Sequence, residues 1–233
     1  MLGRIFTEQF AFSAGDSVLV IGLGRFGSSV AQSLIRLGHD VMGVDTDSDR
    51  VQHWADRLTH AVQADATKES VMLQLGAADF SHAIVAIGGD IAASLLTLMV
   101  LTELGIKDIW VKALNHEHGQ LAKKMGAHHV VMPEADMGER VAHLVTGRLI
   151  DFLEFDDGFA IAKIHAPVMT HHKTLTESRV REQFGVTVVG VKRANTDFQH
   201  ATAQTSVEPA DLLIVSGPTR KIEMFASATK AKK

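Results

Sequence analysis

The chain has 233 residues, enough for one large domain or two small ones, and its 46% hydrophobic and 21% charged content supports a sizeable core and excludes disorder. Lys+Arg is 23 against Asp+Glu 27, a net charge of −4, which points away from nonspecific nucleic-acid binding. Cysteine and tyrosine are both absent, which excludes disulfides, thiolate metal sites, Cys nucleophiles and any phenolic general acid or base.

The absence of cysteine fits a reducing cytoplasm. The longest apolar run, Ile91 to Leu101, is interrupted by Ser94 and Thr97 and falls short of the ~18–20 residues that a membrane-spanning helix requires. The start, MLGRIFTEQFAFSAGD, makes a poor secretion signal. Membrane insertion is therefore not expected, whereas docking onto a membrane protein stays open.

In chain order, SVLVIG (17–22) reads as a buried strand and SSVAQSLIRLGH as a helix closed by Gly38. DVMGVD (40–45) is a second strand, and Asp47 or Ser48 caps the helix after it. Further strands are expected at 60–65, 82–89, 107–113 and 128–133, each separated from the next by a helix. Such alternation implies right-handed crossovers and a parallel, doubly wound, Rossmann-like α/β sheet. A longer helix is expected from Ala135 to about Phe152. From Glu154 the pattern changes: FAIAKIHAP alternates, TLTESRVREQFG is one short amphipathic helix, VTVVGVKR and ADLLIVSGP are strands, and RKIEMFASA is a last helix. This reads as a smaller α+β domain. The expected organisation is a leader (1–15), a nucleotide-binding domain (16–135), a linking helix (136–152), a regulatory domain (153–225) and a tail (226–233).

Between the first strand and first helix, Gly22-Leu23-Gly24-Arg25-Phe26-Gly27 matches G-x-G-x-x-G in its required context. Gly22 makes the tight turn, Gly24 admits a pyrophosphate close to the backbone, and Gly27 lets helix and sheet pack closely. The helix N-terminus offers unpaired N–H groups to phosphates. Asp45, 18 residues past Gly27, is placed to accept hydrogen bonds from ribose hydroxyls. Asp65 either accepts from an adenine amino group or is a helix-capping Asp before Thr67. Gly88 and Gly89 either clear space for a ligand or make an ordinary turn. Arg25 either pairs with a terminal phosphate, in its own or a neighbouring subunit, or is a solvated cation.

A dinucleotide fold alone does not establish redox chemistry. The pairs His116/His118, His128/His129 and His171/His172 lack the spacing of three or four that places metal ligands on one helix face, and they read mainly as surface histidines. No nucleophile–base constellation is visible after residue 150, so no catalytic residue is expected. A nucleotide reader is favoured over a small NAD-dependent dehydrogenase of the sirohaem-pathway kind.

GLGRFG, VDTD, ADAT (64–67), VAIGGD, IWVKA and PEADMGERVA (133–142) together resemble the KtrA/TrkA family, and KtrA most closely. These are cytoplasmic regulatory subunits of potassium uptake systems built from RCK domains. The second half is similar too, through Leu175, Arg179, Phe184-Gly185, VTVVGVKR and ADLLIVSGP, so that the resemblance covers roughly residues 16–225. It implies dimers assembled into an octameric ring that binds ATP or ADP beneath a membrane potassium-translocating subunit of the KtrB/TrkH kind, peripheral to the inner face of the membrane. It also implies that Gly22, Gly24, Arg25, Phe26 and Gly27 hold phosphates and that Asp45, Thr46 and Asp47 lie at the ribose. Asp65 and Ala66 would meet adenine, Ile87, Gly88 and Gly89 would line the pocket, and Lys112 and His118 would approach the phosphates. Glu134 would bind Mg²⁺ or another cation beside the γ-phosphate, the alternative reading of its position being a helix N-terminal acid stabilised by the macrodipole. NAD(H), the ligand of the TrkA branch, stays open as the alternative, as does a second small ligand in the C-terminal domain.

Overall fold

The computed structural model describes residues 17–145, 149–155 and 158–228. The expected leader and the last five residues of the expected tail lie outside them. The chain divides into two compact units, with the boundary after Glu134.

The first unit alternates strand and helix: β1 (Ser17–Ile21), α1 (Arg25–Arg36), β2 (Asp40–Asp45), α2 (Ser48–Trp54), β3 (His60–Gln63) and α3 (Glu69–Gln74). A single 3-10 turn, Ala77–Asp79, leads into β4 (His82–Val85), α4 (Ile91–Glu103), β5 (Asp108–Lys112), α5 (His116–Lys124) and β6 (His129–Val131). The six strands form one sheet in the order β3-β2-β1-β4-β5-β6, and every neighbouring pair is parallel. The strand order therefore reverses between β1 and β4, which is where a doubly wound sheet opens a crevice at its carboxyl edge.

Burial explains why these residues form strands. Val18, Leu19, Val20 and Ile21 are all buried, as a central parallel strand covered on both faces requires. Their side chains alternate between two cores. Leu19 and Ile21 join Leu98, Leu101, Ile109 and Met72 in one, and Val18 and Val20 join Ala31, Val41 and Leu58 in the other. Helix α1 ends at Arg36, and Gly38 follows at φ +89°, the left-handed position that a glycine takes after a helix. Asp47 caps α2, its carboxylate accepting from the N–H groups of Asp49 and Arg50.

Helix α6 (Pro133–Val145) contains the boundary between the units. The helix expected to run to about Phe152 is corrected here: α6 ends at Val145, and Asp151–Glu154 is a strand, β7. Phe152 is buried in the second core while Asp151, Leu153 and Glu154 are exposed, which fits pairing against β8.

The second unit continues with β8 (Phe159–His165), a 3-10 turn at Val168–Thr170, β9 (Lys173–Thr174), α7 (Leu175–Ser178) and α8 (Val180–Phe184). Then come β10 (Thr187–Lys192), β11 (Gln199–His200), β12 (Ser206–Val207), β13 (Leu212–Pro218) and α9 (Thr219–Ser227). An antiparallel sheet, β11-β10-β13-β8-β7, packs on Ile222, Phe225 and Ala226 of α9. The single helix expected over TLTESRVREQFG is two, because Arg179 sits between them in the left-handed region at φ +49°. The α/β unit followed by a smaller α+β unit is the expected fold class.

Candidate functional site

The turn after β1 is tight because glycine permits it. Gly22 lies at φ +95°, and a Cβ there would sit 3.0 Å from the backbone of Ala86. Its N–H donates to Val44 O at 2.7 Å, and Ala86 N–H donates to Ile21 O at 2.7 Å, so the ends of β2, β1 and β4 are laced together. Gly27, in the first turn of α1, is more constrained: a Cβ would fall 1.9 Å from Gly22 O and 2.9 Å from Ala86 Cβ. Gly24, the N-cap of α1, is open: a Cβ would come no nearer than 3.8 Å to Arg50 Nη1. No acid occupies the first turn of α1, so its N–H groups meet no carboxylate from their own helix. The three glycines thus form a turn, an open approach and a close contact.

Parallel strands bring further residues to the same edge. Asp45 ends β2 and is buried. Its carboxylate accepts from Leu23 N–H at 2.6 Å and Asp47 N–H at 2.9 Å, with Arg50 Nη1 at 3.4 Å. Asp45 therefore ties the glycine loop to the end of β2. Thr46 and Asp47 are exposed beside it, and Gln63 Nε2 donates to Thr46 O at 3.1 Å.

After β3, Asp65 is exposed and Ala66 buried. The Asp65 carboxylate accepts from the Thr67 hydroxyl at 2.6 Å and the Thr67 N–H at 3.0 Å, which hold it below the ordinary Asp range. The helix-capping alternative is corrected: Asp65 closes a local turn on Thr67, while the N-cap of α3 is Lys68. Ile87 packs on the first core, Gly88 and Gly89 are exposed, and a Cβ on Gly89 would meet nothing within 4 Å.

The charged focus lies at the end of β5. The Lys112 side chain is 9% exposed, and its Nζ donates to Glu134 Oε1 at 2.6 Å, while Glu134 itself is 67% exposed. The same Nζ is 5.8 Å from the centre of the Phe26 ring, and a Cβ on Gly88 would lie 3.1 Å from it. The hydrogen bond from Lys112 holds the Glu134 carboxyl below the ordinary range, with the charges of Lys112 and Arg25 acting in the same direction. Residues far apart in sequence, Arg25, Phe26, Gly88, Lys112 and Glu134, thus share one neighbourhood. Glu134 is also the second residue of α6, consistent with a helix N-terminal acid.

The surface reading of the paired histidines is corrected at His118. Its ring is 1% exposed, Nδ1 accepts from Leu114 N–H at 3.2 Å, and burial pushes its pKa down, so it is held neutral. His128 Nδ1 accepts from Ile109 N–H, and His129 stacks on Trp110 with ring centres 4.1 Å apart. His171 and His172 bond to Ala166 O and to Glu208. Sequence reasoning missed Arg50, which bridges Asp45 and Asp47 and reaches towards Gly24. Its only signal was its place one helical turn beyond the capping Asp47.

Asp45, Thr46 and Asp47 offer acceptors for hydroxyl groups at one end of this edge, and Arg25, Lys112 and the α1 N-terminus offer cationic partners for phosphate near its centre. An adenosine phosphate carries matching chemistry in that order. Glu134 is a single carboxylate and supplies one of the six or more oxygens a magnesium or calcium ion takes, so a cation there needs phosphate and water oxygens as well.

Residues 18–133 match the TrkA-N domain model and residues 160–230 the TrkA-C domain model. The chain is 40% identical over 207 residues to the Ktr system potassium uptake protein C of Bacillus subtilis, covering 88% of this chain and 94% of that one. It is 36% identical over 225 residues to the Ktr system potassium uptake protein A of the same organism, covering 96% and 98%. Among solved structures, the GsuK RCK domain superposes with a TM-score of 0.64 at 18% identity, over 96% of this chain and 49% of that one, a likeness of fold. Among the described residues no helix is long and apolar enough to cross a membrane. With both domain models matched in order and Ktr proteins aligned over nearly their whole length, the chain belongs to the KtrA/TrkA family of potassium-uptake RCK proteins.

Proposed function

We propose that this chain is a nucleotide-sensing regulatory subunit of a potassium uptake system, peripheral to the inner face of the membrane. It binds ATP or ADP and controls a membrane potassium-translocating subunit by a change of shape, with no bond made or broken. The observation that carries this reading is the convergence of Arg25, Phe26, Lys112 and Glu134 beside the Gly22–Gly27 turn, at the switch point of the parallel sheet. Gly22, Gly24, Arg25, Phe26, Gly27 and Lys112 are assigned to the phosphates, and Asp45, Thr46 and Asp47 to the ribose. Asp65, Ala66, Ile87, Gly88 and Gly89 would line the remainder. Glu134 would share a cation with the terminal phosphate, releasing Lys112 towards it. His118, buried and neutral, would support the wall near β5 rather than bring charge.

Assembly is part of the reading. Helix α6 exposes Met137, Val141 and Val145, each four residues from the next, an apolar stripe suited to a second copy of the chain. Dimers closing into an octameric ring would couple several nucleotide sites. To move a ring from 1:99 to 99:1 between two shapes requires about 5.5 kcal/mol of differential affinity, or ~1.4 kcal/mol from each of four coupled sites. One additional phosphate meeting Arg25, in the same or a neighbouring subunit, is a contact of that order.

Titration calorimetry of Arg25→Ala tests the switch: ATP affinity should fall roughly tenfold while ADP affinity falls less. Equal losses for the two nucleotides would overturn the role of the terminal phosphate.

A further inference from the structure

The second unit holds a cluster that the nucleotide site does not use. Glu139 and His143 lie one turn apart on α6, Glu154 ends β7, and one ligand atom from each lies within 4.8 Å of the others. Two of the three side chains are held from outside the cluster, both by α9. Glu223 lies 3.0 Å from His143 Nδ1, and the Thr219 hydroxyl donates to Glu154 Oε1 at 2.5 Å. The Phe152 ring, tilted at 39° with its centre 4.7 Å away, fixes the plane of the imidazole. A carboxylate accepting from Nδ1–H places the imidazole lone pair on Nε2, the arrangement in which metal-binding histidines are commonly oriented. The neighbouring cation Arg140 is paired with Asp151. Three carboxylates, Glu139, Glu154 and Glu223, therefore surround one imidazole.

We infer that Glu139, His143 and Glu154 form a divalent transition-metal site, with Glu223 orienting His143 and water completing the coordination. One nitrogen and two carboxylate oxygens suit zinc or manganese better than magnesium or calcium, which take oxygen alone. Ligand distances of ~2.0–2.2 Å place tetrahedral ligands about 3.4 Å apart. With the ligand atoms within 4.8 Å of one another, each pair need close by at most about 1.4 Å to reach that spacing. A bound ion would tie α6 to β7 and, through Thr219 and Glu223, to α9. The inference does not rest on the proposed nucleotide function.

The test is calorimetric titration of the nucleotide-free full chain with zinc chloride, and separately with magnesium chloride. One zinc equivalent per chain is expected to disappear in His143→Ala. Because that change also removes packing on Phe152, Glu139→Gln serves as the exposed substitution that leaves the fold intact, and it should weaken the same equivalent at least tenfold. Glu223→Gln should weaken it about 10–100-fold. His172→Ala, outside the cluster, should leave it unchanged. Zinc stoichiometry and affinity unaltered by both His143→Ala and Glu139→Gln, no zinc equivalent at all, or magnesium bound as tightly as zinc would each overturn the inference.

Discussion

The two units of this chain collect their polar groups in different ways, and strand direction explains the difference. In the first, six parallel strands all end at one edge, so residues that end or closely follow them, Gly22, Asp45, Asp65, Ile87 and Lys112, gather there from a span of ninety positions. In the second, β8, β13 and β10 run antiparallel, and their carboxyl ends alternate between opposite edges. Helices α6 and α9 bring one group of polar side chains together there, around β7. A parallel sheet gathers a site at one edge by its topology; an antiparallel one does not.

The largest expected effect sharpens this contrast by weakening the second unit alone. Phe225 is fully buried against α8 and the antiparallel sheet, and Phe225→Ala should cost about 3–5 kcal/mol, read from denaturant unfolding. Nucleotide binding should persist wherever that variant stays folded, since every residue assigned to it lies in the first unit. Next, Gly27→Ala forces a methyl group against Gly22 O, a contact a parallel-sheet turn cannot relax, and should cost about 1–3 kcal/mol. Unlike Phe225→Ala, it should abolish nucleotide binding in the folded protein. Asp45→Asn exchanges one acceptor oxygen for an amide that cannot receive the Leu23 N–H. A loss of roughly 1–3 kcal/mol is expected, together with loosening of Arg50.

The smallest effect is one of pH. Burial holds the pKa of His118 below its ordinary value of about 6.5, so the unfolded chain gains a proton that the folded site refuses. Stability present at neutral pH is lost as pH falls through that value towards the lowered one. His118→Gln should flatten the decline in Tm over that interval, and an unchanged slope would move its cause to another group.

The contrast also governs what could be read in advance. Helix–strand alternation, the glycine turn and Asp45 are local signals, each fixed by a few consecutive residues, and they gave the first unit nearly element by element. In the second, β9, β11 and β12 are two residues long, too short for any periodicity. Strand β7 was hidden because the apolar spacing of α6 continues through Ile150, Phe152 and Leu153. The break between α7 and α8 falls at Arg179, with neither glycine nor proline to mark it. Within the site, the pairing of Lys112 with Glu134 and the burial of His118 depend on packing between distant segments, which a polar run such as HEH does not disclose.

The account stands most directly on a calorimetric titration of the purified full chain with ATP, ADP, NAD⁺ and NADH, with and without Mg²⁺, accompanied by light-scattering mass. It predicts one ATP or ADP per chain, ATP strengthened by Mg²⁺, weaker binding of NAD⁺ and NADH, and a mass several times that of one chain. No heat with any adenine compound, or a monomer indifferent to all four, would contradict it.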